Sequence, residues 1–185
     1  MAQGNISLER THLSQDEAYA QAAFEYAAAI ERMARGYEAD TDLAKDLVQD
    51  IHAALWRSFE YFEGQCSVRS WVYRIGHNVA VSHIQASRRR KPGDLVGLDA
   101  IAELPSADDQ AQATEKSQLQ RRLLATIHLL KPADRQVMLL YLEELTAEEI
   151  GEVTGLSAGA VATRIHRVKA LLTGAFTIEG TNDDP

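Results

Sequence analysis

The chain has 185 residues, 45% hydrophobic and 25% charged, with 27 acids against 19 bases and a net charge of -8. That length holds one domain or two small ones, and that composition excludes wholesale disorder. A single cysteine, Cys66, excludes an internal disulfide framework, and the absence of a signal-like N-terminus or an apolar run of about 18 residues points to a cytoplasmic protein with no membrane insertion.

Residues 1–18 read as an N-terminal extension. Ala-rich Tyr19 to Tyr37 predicts a helix, with Phe24, Ala27, Ile30 and Ala34 as its apolar repeat. Gly36 and the acidic Glu38 to Asp42 mark a break. Asp42 then caps a helix to about Phe59, in which Leu43, Leu47, Ile51 and Leu55 must face a core. Glu63-Gly64-Gln65 interrupts that pattern. A third helix is expected from about Ser67 to Arg89, with Val68, Trp71, Val72, Ile75 and Val79 on its apolar side. Arg74, Asn78, Val81, Gln85 and Arg88 lie opposite. Residues 19–91 thus form a first helical domain.

Residues 92–114 carry five acids, no bases and two prolines, the composition of a solvated, flexible linker. Helical pattern returns at Glu115 to Leu130 through Leu119, Leu123 and Ile127. Lys131-Pro132 breaks it, and Pro132 suits the first position of the next helix, with Val137, Met138 and Tyr141. Two short helices complete a second domain, 115–173, and an acidic tail covers 174–185. No period-two segment of strand length occurs, so the fold class is all-α, two small helical domains on one tether.

Charge is segregated. Residues 69–91 hold six Arg or Lys and no acid, and residues 154–173 hold Arg164, Arg167 and Lys169 with no acid. Two positive faces on an acidic chain predict two contacts with a polyanion. Arg88, Arg89, Arg90 and Lys91 are phosphate-contact candidates by charge alone, against the plainer reading of a solvated helix end. Cys66 and the scattered His52, His77 and His83 have no tight ligand spacing, so no metal and no cofactor is expected. No phosphate loop or nucleophile–base motif argues for an enzyme.

Thr146 to Lys169 reads as a helix-turn-helix. Thr146 and Glu149 make a capping-box pattern, Ile150 and Val153 point inward, and Gly151 is small where two helices cross. Gly155 suits a left-handed turn residue, Leu156 fills the space below it, and Ser157 caps the second helix. Val161, Ile165, Val168 and Leu172 line the inner face of that helix. Ser157, Ala158, Ala160, Ala162, Thr163, Arg164 and Arg167 look outward. Small residues at its start let that end enter a major groove, where Thr163 and Arg164 reach bases or phosphates and Arg167 and Lys169 phosphates. An ordinary helical hairpin with a solvated basic face is the alternative.

Asp42-Leu-Ala-Lys-Asp-Leu-Val-Gln-Asp-Ile51, Leu55-Trp56, Phe59, Phe62-Glu-Gly64 and Ser70-Trp-Val-Tyr-Arg-Ile-Gly-His-Asn-Val79 resemble the second region of bacterial sigma factors. The helix-turn-helix resembles their fourth region. Their order and spacing are similar to the extracytoplasmic-function group of the sigma-70 family, over about residues 20–91 and 117–173. The resemblance implies docking of Asp46, Gln49 and Asp50 on the β′ clamp helices of core RNA polymerase, and of the second domain near the β flap. It implies that the loop Phe62, Glu63, Gly64, Gln65, Cys66 and Ser67 captures a base flipped from the promoter −10 element, with Arg74, His77 and Asn78 on the helix beside it. Extruded bases need such a pocket, because their edges and faces are readable only outside the duplex. At the −35 element it implies Ser157, Ala158, Ala160, Thr163, Arg164, Arg167 and Lys169. An anti-sigma factor is a further implied partner.

The chain departs from the family at Ala158, Ala160 and Ala162, where larger or polar residues are common, so base reading there is expected to be thin. Promoter elements about 17 base pairs apart are separated by roughly 58 Å. A linker of 23 residues spans at most about 80 Å extended and about 26 Å as a coil. The domains therefore bridge both elements only if held apart, and collapse together when free. A helix-turn-helix regulator working alone leaves residues 42–91 unexplained, and a sigma-like decoy leaves the basic stretch unexplained.

Overall fold

Ser14 starts the first helix: its hydroxyl accepts from the Glu17 amide while the Glu17 carboxylate accepts from the Ser14 amide, a reciprocal cap. Helix α1 therefore spans Gln15–Tyr37, four residues earlier than the alanine pattern suggested. Asp40, not Asp42, caps α2 (Thr41–Ser58), accepting from the amides of Asp42 and Leu43. A short 3-10 turn, Phe59–Tyr61, leads through an exposed loop to α3 (Val68–Arg90). Helices α4 (Glu115–Leu129), α5 (Pro132–Leu142), α6 (Ala147–Thr154) and α7 (Ala158–Ile178) follow. This computed structural model describes residues 14–90 and 115–178, with side-chain surroundings for 14–86 and 119–173. Among them there is no strand, and no helix is long and apolar enough to cross a membrane. The linker 92–114 and Lys91 lie outside the described residues.

Leu47, Ile51 and Leu55 are fully buried, as their spacing requires, each contributing about 1.5–3 kcal/mol. Leu43 is not: it sits at the open end of the stripe, half-exposed. The α1 repeat holds at Ile30 and Ala34, both fully buried, and fails at Phe24 and Ala27, which are exposed. Phe24 is 91% exposed, and the buried positions are Ala22, Ala29, Ile30, Met33, Ala34 and Tyr37. Eight alanines among its 23 residues made several registers equally plausible. The true one is set by α2 and α3, which both pack on this face.

Gly36 does not break α1. It is buried in the last turn, where a Cβ would overlap the Cδ methyls of Leu139 on α5. Gly76 on α3 similarly admits Met33, whose sulfur would lie 2.9 Å from an added Cβ. Trp56 ties α2 to the start of α1, donating its indole N–H to Asp16 at 2.8 Å while its carbonyl accepts from Gln15 at 2.7 Å.

The second half keeps the expected element order, but α7 runs 21 residues to Ile178, past the expected boundary at 173, and Leu119 is 56% exposed at the start of the α4 stripe whose Ile127 is buried. Pro132 occupies the first turn of α5. Thr146 and Glu149 form the capping box of α6, and Gly155 closes it with φ 76°. Gly151 is small for a different reason than a helix crossing: an added Cβ would lie 2.7 Å from the Leu156 carbonyl oxygen, so the turn itself excludes it. Val161 and Val168 seal the space between α5, α6 and α7. The halves pack directly on each other, α1 against α4 and α5, and α3 against α5 and α6. One apolar core runs through both.

Candidate nucleic-acid and polymerase interface

Asp46, Gln49 and Asp50 project from α2 into solvent. The polar side of α3 lies alongside. Asp46, Asp50 and Asn78 meet at a groove of about 790 Å³, floored by Leu43, Ala54 and Val79. Residues assigned from sequence to two different partners thus share one surface.

The loop before α3 is shaped by local bonds. Gly64 takes φ 79°, the Glu63 amide donates to the Gln65 side chain at 2.8 Å, and Gln65 donates to the Tyr61 carbonyl at 3.3 Å. Glu63, Gly64 and Gln65 are exposed, and Cys66 is half-buried. Phe62 is turned inward. Its ring meets Phe59 edge-on at 5.7 Å and Trp71 at 5.3 Å, so it anchors the loop. Trp71 donates to the Ser58 hydroxyl at 3.0 Å, which places it in the core, as its stripe predicts. The Ser67 hydroxyl accepts from the Ser70 amide at 3.0 Å, holding the start of α3.

His77 overturns its expected surface position. It is 1% exposed, with Nδ1 hydrogen-bonded to the Tyr37 hydroxyl, and burial pushes its pKa down to about 3. The physical reason is that α3 has two buried faces, one against α2 and one against α1 and the second half. Sequence periodicity showed only the first. Tyr37 is raised in turn by the same desolvation. Arg74 is half-exposed and donates to the Glu152 carbonyl at 3.0 Å. Asn78 is exposed. Arg88, Arg89 and Arg90 continue the backbone of α3.

On α7, the Ser157 hydroxyl accepts from the Ala160 amide at 3.3 Å, the cap expected. Thr163 returns its hydroxyl to the Gly159 carbonyl at 2.9 Å, and Ala158 and Ala160 are half-exposed. The three cations of this helix are not loose. Arg164 and Arg167 both donate to Asp134 Oδ1, at 2.8 and 2.6 Å. Lys169 donates to the Tyr141 hydroxyl at 2.6 Å and lies 4.4 Å from its ring centre. Asp134, buried at the start of α5, was missed from sequence. Its signal, an acid in the first turn of a helix, reads as an ordinary dipole partner.

A helical half whose outer surface joins an acidic helix, an exposed loop and a basic helix, packed on a helix-turn-helix half, defines a DNA-binding transcription factor built like a sigma factor. Residues 24–90 match sigma-70 region 2, and residues 120–172 match sigma-70 region 4. The ECF RNA polymerase sigma-E factor of Haemophilus influenzae is 32% identical over 135 residues, covering 69% of this chain and 71% of the relative. The RNA polymerase sigma-H factor of Pseudomonas aeruginosa is 29% identical over 144 residues, 74% of this chain and 75% of the relative. The solved structure of the sigma factor RpoE in complex with the anti-sigma factor NepR from Bartonella quintana shares the fold. It has a TM-score of 0.66 and 19% identity, over 89% of this chain and 99% of that one. The chain belongs to the extracytoplasmic-function group of the sigma-70 family, the RNA polymerase sigma factors that act in transcription initiation. That family is not an enzyme class.

Proposed function

We propose that this sigma factor docks on the β′ clamp helices of core RNA polymerase through Asp46, Gln49 and Asp50, and near the β flap through its second half. In this reading it acts in the cytoplasm, places polymerase on promoters by their −10 and −35 elements, and assists melting. The −10 strand is read by the loop from Glu63 to Cys66 with Arg74 and Asn78, while Phe62 and Ser67 hold that loop in shape. Arg88 to Lys91 add phosphate contacts. The −35 element is met by α7, with Ser157 to Thr163 towards the bases and Arg164, Arg167 and Lys169 towards phosphates. An anti-sigma factor, as in the structure of the RpoE relative, is the expected regulator.

The observation that carries this reading is the shared groove of Asp46, Asp50 and Asn78. Melting needs the polymerase surface and the opened strand to lie side by side, because a flipped base is stabilised only while the duplex beside it is held open. Asp46→Lys combined with Asp50→Lys reverses two exposed charges and leaves the buried stripe untouched. It should abolish capture by core polymerase in a titration while helicity stays unchanged. Retained affinity would remove this surface from the reading.

A further inference from the structure

A cavity of about 330 Å³ is walled by Met33 of α1, Leu123 and Ile127 of α4 and Leu139 of α5. These walls are apolar, and the polar groups around them are nearly all spent on one another. Arg32 donates from Nε and Nη2 to the two carboxylate oxygens of Glu143, each at 2.6 Å. The Tyr73 hydroxyl donates to the same carboxylate at 3.0 Å. Arg35 donates to Glu31 at 3.0 Å. Both arginines are largely exposed, so they stand at the mouth, each matched by an acid. Gln120 is exposed beside them. The mouth thus offers no surplus charge to a ligand.

One polar group is left over. His77 lines the cavity from α3 and is almost completely buried. The Tyr37 hydroxyl takes its Nδ1, and Nε2 has no hydrogen-bond partner among the described residues. Nor is Nε2 sealed in apolar packing, because no side-chain nitrogen or oxygen among those residues is both enclosed and unpaired. It therefore opens on the cavity that the ring lines. Burial keeps the ring neutral. A neutral imidazole cannot offset the cost of stripping water from a charged ligand. It offers one hydrogen bond, as donor or acceptor according to which atom holds the proton shared with Tyr37.

A cavity of ~150 Å³ accepts one benzene, and small-molecule sites of ~300–1,000 Å³ combine apolar walls with a few fixed polar groups. The space beside His77 has that size and that make-up. Packed interiors close to about three-quarters of their volume, so an opening onto one unpaired buried nitrogen is a receptacle and not slack in the core. We propose that this cavity binds a compact, uncharged, largely apolar molecule carrying one hydroxyl, seated with the hydroxyl on His77 Nε2. A fused bicyclic ring fits the volume, and a hydroxyl can answer the imidazole as donor or as acceptor. The site uses none of the residues through which polymerase or DNA is proposed to bind, so it stands or falls apart from the promoter reading.

The test uses the full chain, with β-naphthol as the probe and naphthalene, which lacks the hydroxyl, as its control. Isotope labelling of the methionine methyls gives three reporters for magnetic resonance, of which Met33 lines the cavity. Titration with β-naphthol should move the Met33 methyl resonance saturably, through the ring current of a bound aromatic, and move Met1 and Met138 far less. No saturable movement of Met33 with either probe would overturn the site, and that measurement needs no variant. His77→Leu should then lower the ratio of β-naphthol to naphthalene affinity about threefold to tenfold, the value of one hydrogen bond. An unchanged ratio would overturn the part given to Nε2. Leu123→Trp puts an indole into the same space and should weaken both probes about tenfold or more, with helicity unchanged, because indole and probe compete for one volume. Binding that survives this change would place the probes on the outer surface and overturn the cavity as their site.

Discussion

Arg167 donates to Asp134 at 2.6 Å, from the outer side of the recognition helix to a buried carboxylate on the helix below. The same oxygen takes Arg164. A single negative charge thus sits under two positive ones, and it orients both while cancelling part of their field.

Asp134→Asn should therefore strengthen non-specific binding to duplex DNA. It should steepen the slope of log affinity against log salt by up to about 0.9, the value of one added phosphate contact. Arg167→Ala should flatten the slope by a similar amount or less, because part of its charge is already compensated. Fluorescence anisotropy across a salt series measures both. An unchanged slope in Asp134→Asn would mean the two arginines never reach the backbone.

Gly36→Ala should loosen the contact between the halves without unfolding either. Alanine favours a helix by about 1 kcal/mol over glycine, yet its methyl overlaps Leu139. Helicity by circular dichroism should hold while domain separation rises. Adding Leu139→Ala should restore the approach by removing the obstructing methyls. A closed chain in the single variant would show that the Leu139 side chain yields to the added methyl and that Gly36 does not set the approach of the halves.

His77 makes the fold acid-sensitive. Burial holds it neutral down to about pH 3, whereas in the unfolded chain it titrates near 6.5. Below that value the unfolded chain binds a proton that the folded one refuses. The contribution is complete above about pH 6.5 and falls by about 1.4 kcal/mol per pH unit towards pH 3. Burial lowers His52 and His128 as well, in the same direction. Urea midpoints between pH 7.5 and 5.5 should fall with acid, and less steeply in His77→Leu. Equal slopes would place the sensitivity in the other histidines.

Gly155→Ala tests the turn of the helix-turn-helix. At φ 76° there is open space for a methyl group, so the cost is backbone strain alone, about 1–2 kcal/mol. Thermal melting should shift down by a few degrees, on the order of 2–8 °C for domains of this size range. No shift would mean the turn relaxes into another geometry.

Much of this architecture was legible before folding was considered. Leu47, Ile51 and Leu55, the Thr146–Glu149 box, Pro132 and Gly155 each carry a local signal whose physics is complete within a few residues. The misreadings share one cause. Phe24, Gly36 and His77 are decided by partners distant in sequence, and an alanine-rich helix or a helix buried on two sides offers periodicity no unique answer. Asp40 lost to Asp42 because both are acids near the same start, and only backbone geometry selects the residue in the extended conformation. The pairing of Arg164 and Arg167 with Asp134, about 30 residues away, has no local signature.

Trp56 gives the first turn of α1 a task that its remote place in the chain conceals. Asp16 and Gln15 clasp the indole N–H and the backbone carbonyl of this residue, in the last turn of α2. A fragment trimmed to begin at Tyr19 would keep every core leucine and yet leave that N–H reaching for solvent. The smallest excisable unit of the first half therefore begins at Ser14, and shortening it further should fray the end of α2 nearest the exposed loop.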